Sequence, residues 1–233
     1  MTTTAPAGGG EIRFMAIVDT ETSGVDPTVD KVVEVAATLF DVKLGQPIAS
    51  YASLIRGDTN AASAVNGIPV EMLPTAPEAD VVWRCVRWLI EPAQVIVAHQ
   101  ADFDRQFCPP FEKPWVCSIA DIKWPGERGS RSLASLALSL GVGVASAHRA
   151  MADVDTLTRV FSRVHELKHD IQAMLKHALR PKMRCVSLAP FEQKDLVKSH
   201  GFVWDPKAKH WWRDVPIDDI DALPFKVRRG TLP

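Results

Sequence analysis

The candidate reactive residues of this chain are Asp19, Glu21, Asp104, His148 and Asp153, four acids and one histidine. The first two follow the apolar run of residues 14–18, which reads as a buried strand between Gly8-Gly9-Gly10 and Ser23-Gly24. Side chains alternate along a strand, so Asp19 and Glu21 share one face while Thr20 points to the other. Two carboxylates so placed repel, and unpaired acids beside a core are costly. Bound divalent cations make such a pair tolerable; a strand end running into solvated acids is the plainer alternative. Histidine is the side-chain type that ordinarily titrates near neutrality, which suits His148 to accepting a proton, although a lone loop histidine is also an ordinary surface residue.

Helical geometry decides where the other two acids point. Residues 95–98 (Val-Ile-Val-Ala) form a short apolar strand, and His99-Gln100-Ala101-Asp102-Phe103-Asp104 starts a helix. At about 100° per residue, Phe107 at zero puts Phe103 near −40°, Asp104 near +60° and Asp102 near −140°, so Asp104 borders the packed face and Asp102 faces water. Asp104 then emerges at the C-terminal side of a sheet strand, where open α/β sheets place ligands. A first-turn acid favoured by the helix dipole is the alternative. A second helix starts at Ala150 with an apolar stripe of Val154, Leu157, Val160, Phe161, Val164, Leu167 and Ile171. Leu157 at zero places Asp153 near −40°, inside the stripe, and Asp155 near 160°, in solvent. His148 precedes this helix in a loop.

The elements that must carry these residues alternate in type, which predicts an α/β fold. Residues 31–41 and 48–55 read as two further strands, making an antiparallel meander with the first. A short helix is expected near residues 61–65. Pro77 opens a helix with Val82, Cys85, Val86 and Leu89 on one face, flanked by Trp83 and Trp88, both assigned to core packing. Residues 115–118 read as a strand, residues 131–140 as a helix stopped by Gly141, and residues 150–175 as one long helix.

A chain of 233 residues with 46% hydrophobic content can build one sizeable domain and a small one. Its formal net charge of −1 advertises no polyanionic partner, so any nucleic-acid contact must come from local basic patches. No stretch is long enough to span a membrane, and residues 1–10 read as a flexible tail rather than a signal peptide. Cys85, Cys108, Cys117 and Cys185 show no C-x-x-C pairing, which fits reduced thiols in a cytoplasm.

Asp19-X-Glu21, His99-X-X-X-Phe103-Asp104 and His148-X4-Asp153, taken in order, resemble the DEDDh (DnaQ-like) exonuclease family of polymerase proofreading subunits and oligoribonuclease-like enzymes. Asp19-Thr-Glu-Thr-Ser-Gly24, Val32-Val-Glu-Val-Ala-Ala37, Val97-Ala98-His99 and His148-Arg-Ala agree as well, and the resemblance covers residues 11–175. Gln100 stands where the family commonly has Asn, and Asn66-Gly-Ile68 replaces a common His-Gly-Ile. The resemblance implies a ribonuclease-H-like mixed sheet flanked by helices. It also implies metal-dependent 3′-to-5′ release of nucleoside 5′-monophosphates, with single-stranded DNA favoured over RNA. An oligoribonuclease-like RNA exonuclease and a polymerase-associated nucleic-acid-binding subunit are the alternatives. On this reading Asp19, Glu21, Asp104 and Asp153 hold two Mg²⁺ or Mn²⁺ ions, and His148 is the general base. Thr22, Gly24, Val25, His99, Gln100, Phe103 and Arg149 are the expected substrate contacts, with Arg128 and Arg131 as further phosphate candidates. The partner is nucleic acid with a free 3′ end, together with a polymerase or other replication or repair protein.

Beyond Pro181 the composition shifts, which sets the exonuclease domain at 11–178 and a small α+β module at 183–233. A strand over 183–188, a helix over 191–199 and a hairpin turning at Asp205-Pro206-Lys207 are expected there. The Gly-Phe-X-Trp-Asp…Lys-X-Trp-Trp pattern is similar to a small module of unknown function attached to some nucleases and primase-like proteins. Lys194, Lys198, Lys207, Lys209 and Arg213 interleave with Phe202, Trp204, Trp211 and Trp212. That mixture suits single-strand binding, while a module this small also needs aromatics for its core.

Overall fold

The computed structural model describes residues 10–126, 130–144 and 149–230. The chain divides into two compact units, Met1–Ala178 and Leu179–Pro233. In the first, β1 (Phe14–Thr22), β2 (Val32–Asp41) and β3 (Gln46–Leu54) form the antiparallel meander. A short α1 (Ser63–Asn66) and a 3-10 turn (Val70–Thr75) lead to α2 (Ala79–Ile90). Then β4 (Val95–Ala98) lies parallel to β1, followed by α3 (Ala101–Phe107) and β5 (Trp115–Cys117), parallel to β4. The sheet order is β3-β2-β1-β4-β5, with β1 in the middle. α4 (Leu133–Ser139), capped by the Ser132 hydroxyl, precedes α5 (Ala150–Glu166) and α6 (Ile171–Ala178).

The two faces of this sheet have different occupants. Ala16, Val18, Val35, Ala37 and Leu39 pack against Val82, Val86 and Leu89 of α2. Residues of the opposite parity meet α5, where Phe40 lies 6.1 Å, ring to ring, from Phe161. Asp19 and Glu21 belong to that second parity, so α5 covers the face on which they stand.

Two expectations fail here. The helix expected over 150–175 is two helices. Lys168 adopts a left-handed backbone (φ 66°), and Asp170 caps α6 by accepting the Ala173 N–H at 2.9 Å. Trp88 is 79% exposed rather than core, whereas Trp83 meets Phe111 edge-on at 6.4 Å. The sequence gives no sign that only one flank of the α2 stripe is covered.

The second unit is a four-stranded antiparallel sheet with order β7-β8-β6-β9. It contains β6 (Lys182–Ser187), α7 (Lys194–Ser199), β7 (Val203–Asp205), β8 (His210–Pro216) and β9 (Val227–Gly230). The hairpin turns where expected; β9 was not foreseen, and residues 191–193 are a 3-10 turn ahead of α7. Among the described residues no helix is long and apolar enough to cross a membrane.

Candidate active site

Strand alternation and helix phase bring three acids to one point. Asp19 and Glu21 at the end of β1 and Asp153 in the first turn of α5 each offer a carboxylate oxygen, all within 4.8 Å of one another. Asp104 of α3 is buried beside them. Its Oδ1 accepts the Thr20 backbone N–H at 3.0 Å and the Thr20 hydroxyl at 2.9 Å, which ties α3 to β1 between Asp19 and Glu21. The four line a cleft of about 330 Å³ with His99, Gln100, Phe103 and Arg131 on its walls.

Burial raises the Asp19, Glu21 and Asp104 carboxyls above their ordinary range, and repulsion from neighbouring acids adds to the rise at Asp19 and Glu21. For Asp19 desolvation is the largest cause, followed by the charges of Asp104, Asp153 and Glu21. Glu21 is pushed up to about 7, first by burial and then by Asp153, Glu34 and Asp104, with Arg149 opposing. Asp104 rises to about 6 through burial, against the stabilising Thr20 hydrogen bonds. Oxygen-only donors crowded in this way fit a hard divalent cation such as Mg²⁺ or Mn²⁺, which would offset the repulsion. Asp155 lies outside the cluster, exposed and 3.9 Å from Arg159.

One functional residue carries no role in the sequence reading. Glu34 of β2 pairs directly across from Glu21 and is 5% exposed. Its carboxylate accepts Arg149 Nε at 2.9 Å, Arg149 Nη2 at 2.6 Å and the Ala150 backbone N–H at 3.0 Å. The ion pair offsets the like charges of Glu21 and Glu34, and it fixes the N-terminus of α5, hence Asp153. Arg149, expected on substrate, is therefore engaged by Glu34. An acid inside the apolar run Val32–Asp41 was the available signal.

The remaining expected contacts fall around the β1 exit. The Thr22 hydroxyl donates to the Gly24 carbonyl, and Asn66, the residue departing from the family pattern, donates to the Thr22 carbonyl at 3.1 Å. A Cβ at Gly24 would sit 2.3 Å from Asp30 Oδ2, so glycine there lets the Ser23–Asp30 loop close. Val25 stands 83% exposed. The His99 ring is held between the Ser118 hydroxyl (2.7 Å) and the Arg131 carbonyl (3.1 Å). Gln100 is exposed just before α3, and the half-buried Phe103 meets Phe107 at a tilt, 4.9 Å ring to ring. His148 and Arg128 lie outside the described residues.

Comparison with known proteins decides the lineage. A sequence model of the exonuclease family RNase_T matches residues 16–109, which contain Asp19, Glu21 and Asp104. A PolC-type DNA polymerase III of Thermotoga maritima is 29% identical over 82% of this chain. Residues 16–109 belong to this exonuclease family. The chain's Asp19-X-Glu21, Asp104 and His148-X4-Asp153 pattern resembles that of the DEDDh (DnaQ-like) branch. The exonuclease chain spans only 15% of the PolC-type relative's length. The DNA polymerase III subunit epsilon of Treponema pallidum is 29% identical over 76% of this chain and 83% of its own. Exonuclease X, solved with 5′-overhanging duplex DNA, shares the fold at a TM-score of 0.54. It is 24% identical, and the alignment covers 70% of this chain and 99% of that one.

Proposed function

We propose that the chain is a metal-dependent exonuclease that removes nucleoside 5′-monophosphates from 3′ ends, favouring single-stranded DNA. The observation that carries the reading is the convergence of Asp19, Glu21 and Asp153 within 4.8 Å, with Asp104 buried alongside. These four acids would hold two Mg²⁺ or Mn²⁺ ions, which when bound would supply an activated water and charge stabilisation for the leaving 3′ oxygen. Asp104 is oriented by Thr20 and Asp153 by the Glu34–Arg149 pair. His148 immediately precedes the Glu34-held Arg149 in sequence and is the proposed acceptor for the proton of the attacking water. Thr22, Gly24, Val25, His99, Gln100 and Phe103 form the proposed seat of the terminal nucleotide. The preference for DNA is supported by the polymerase relatives, and it makes a replication or repair protein in the cytoplasm the expected partner. Residues 11–178 serve as the nuclease domain and residues 183–233 as a separate module.

Matched 5′-labelled DNA and RNA oligomers, single- and double-stranded, digested by the full chain in Mn²⁺ test this reading. Single-stranded DNA shortening one nucleotide at a time from its 3′ end, faster than RNA, is the expected result. Faster trimming of RNA would overturn the substrate assignment, and internal cuts would overturn the exonuclease assignment.

A further inference from the structure

The charge of the chain is divided unevenly. Residues 179–233 hold eleven Lys and Arg against seven Asp and Glu, a net of +4, while residues 1–178 hold sixteen against twenty-one, a net of −5. Within the second unit, one sheet face is its core: Cys185 and Val215 pack with Val197 of α7, Phe202 and Phe225. Because residues alternate between faces, Arg184, Val186, Val203, Trp212, Asp214 and Arg228 lie on the other side. Pairing places Val203, Trp212, Val186 and Arg228 in one row across all four strands. Arg184 lies over the Trp212 ring, 3.8 Å from its centroid. Asp214 fixes that guanidinium from two directions, accepting Nε at 2.5 Å and Nη2 at 3.0 Å. None of these side chains contributes to the core, and Val203 and Arg228 are exposed.

We propose that this sheet face binds single-stranded nucleic acid. A guanidinium immobilised over an indole presents a planar cation–π pair for stacking, and every unpaired base offers a π-face to it. A duplex keeps its bases inside, so the same surface discriminates against it. Arg228 in the row and the exposed Lys207 and Lys209 at the hairpin turn supply phosphate contacts, in keeping with the unit's positive charge. This binding requires neither a 3′ end nor metal, and it stands or falls independently of the proposed hydrolysis.

The test is fluorescence anisotropy with the full chain in EDTA and a labelled, covalently closed single-stranded DNA circle, which offers no end to the nuclease cleft. A matched RNA circle and a blunt duplex serve as comparison probes. Wild type is expected to bind both circles more tightly than the duplex. Arg228→Glu and Trp212→Ala should each weaken circle binding by about ten-fold or more, with partial recovery in Trp212→Phe. Arg228→Glu should also reduce the salt slope by about 0.7. Lys198, grouped with the binding cations from sequence alone, sits on α7 across the core and is not part of this face, so Lys198→Glu makes the same charge change away from it and should bind within about two-fold of wild type. The proposal is overturned if wild type does not retain the circles, or if Arg228→Glu binds them as wild type does. A loss in Lys198→Glu equal to that in Arg228→Glu would also overturn it, because net charge alone would then account for binding. Arg228→Glu is a solvent-exposed change that keeps the test decisive should Trp212→Ala misfold.

Discussion

Asp153 and Asp155 are two positions apart on one helix, yet only Asp153 reaches the acidic cluster. Asp153→Asn should nearly eliminate 3′-end release and reduce the rise in melting temperature that Mn²⁺ gives wild type. It also removes a charge that pushes Asp19 and Glu21 upward, so the metal-free protein should melt no lower than wild type. Asp155→Asn should change stability by less than about 0.5 kcal/mol and leave the rate alone. If Asp155→Asn is the inactive variant, the assignment of Asp153 fails. The raised carboxyls also set a pH dependence. Asp19, Glu21 and Asp104 hold their protons to higher pH when folded than when unfolded, so their contribution is fully present below the ordinary carboxylate range. It is lost as pH rises through about 6 for Asp104 and about 7 for Glu21. Metal-free melting temperature should therefore fall between about pH 5 and pH 8, and saturating Mn²⁺ should flatten or reverse the fall. A metal-free protein that gains stability across that interval would contradict these shifts.

At the scale of elements, the N-terminus of α5 is where the fold sets the chemistry. Arg149→Ala would leave Glu34 buried without its cation opposite Glu21, a loss of about 2–4 kcal/mol. It would also raise Glu21 further, since Arg149 is the group that lowers it, and so move the pH at which Mn²⁺ binds upward. Arg149→Lys keeps the charge but not the two-pronged geometry, and should recover the pH midpoint better than the stability. An unchanged Mn²⁺ binding profile in Arg149→Ala would count against this role. Strand alternation on β1 and helix phase on α3 and α5 made the acid positions legible in sequence, because both are periodic and local. The Glu34–Arg149 pair joins residues 115 positions apart, and no local pattern reports that. The break between α5 and α6 was hidden for a different reason. Lys168 takes a backbone conformation usually left to glycine, while Leu167 and Ile171 continue the apolar stripe past it.

For the whole molecule, the first unit reads from its sequence because three motifs lie in order along alternating strands and helices. The second reads less well. Its hairpin was visible from the Asp205-Pro206-Lys207 turn, but β9 is a four-residue edge strand of Val, two Arg and Gly, without an apolar alternation to mark it. We place the catalytic centre of the proposed exonuclease in the acidic cluster. The most direct test compares wild type with Asp19→Ala in Mn²⁺, measuring release of the 3′-terminal nucleotide from 5′-labelled single-stranded DNA after melting curves show both chains folded. Wild type should give a one-nucleotide ladder, and Asp19→Ala a rate at least about a thousand-fold lower with a smaller Mn²⁺ stabilisation. A folded Asp19→Ala protein that degrades the strand at a rate near wild type would contradict this placement of the catalytic centre.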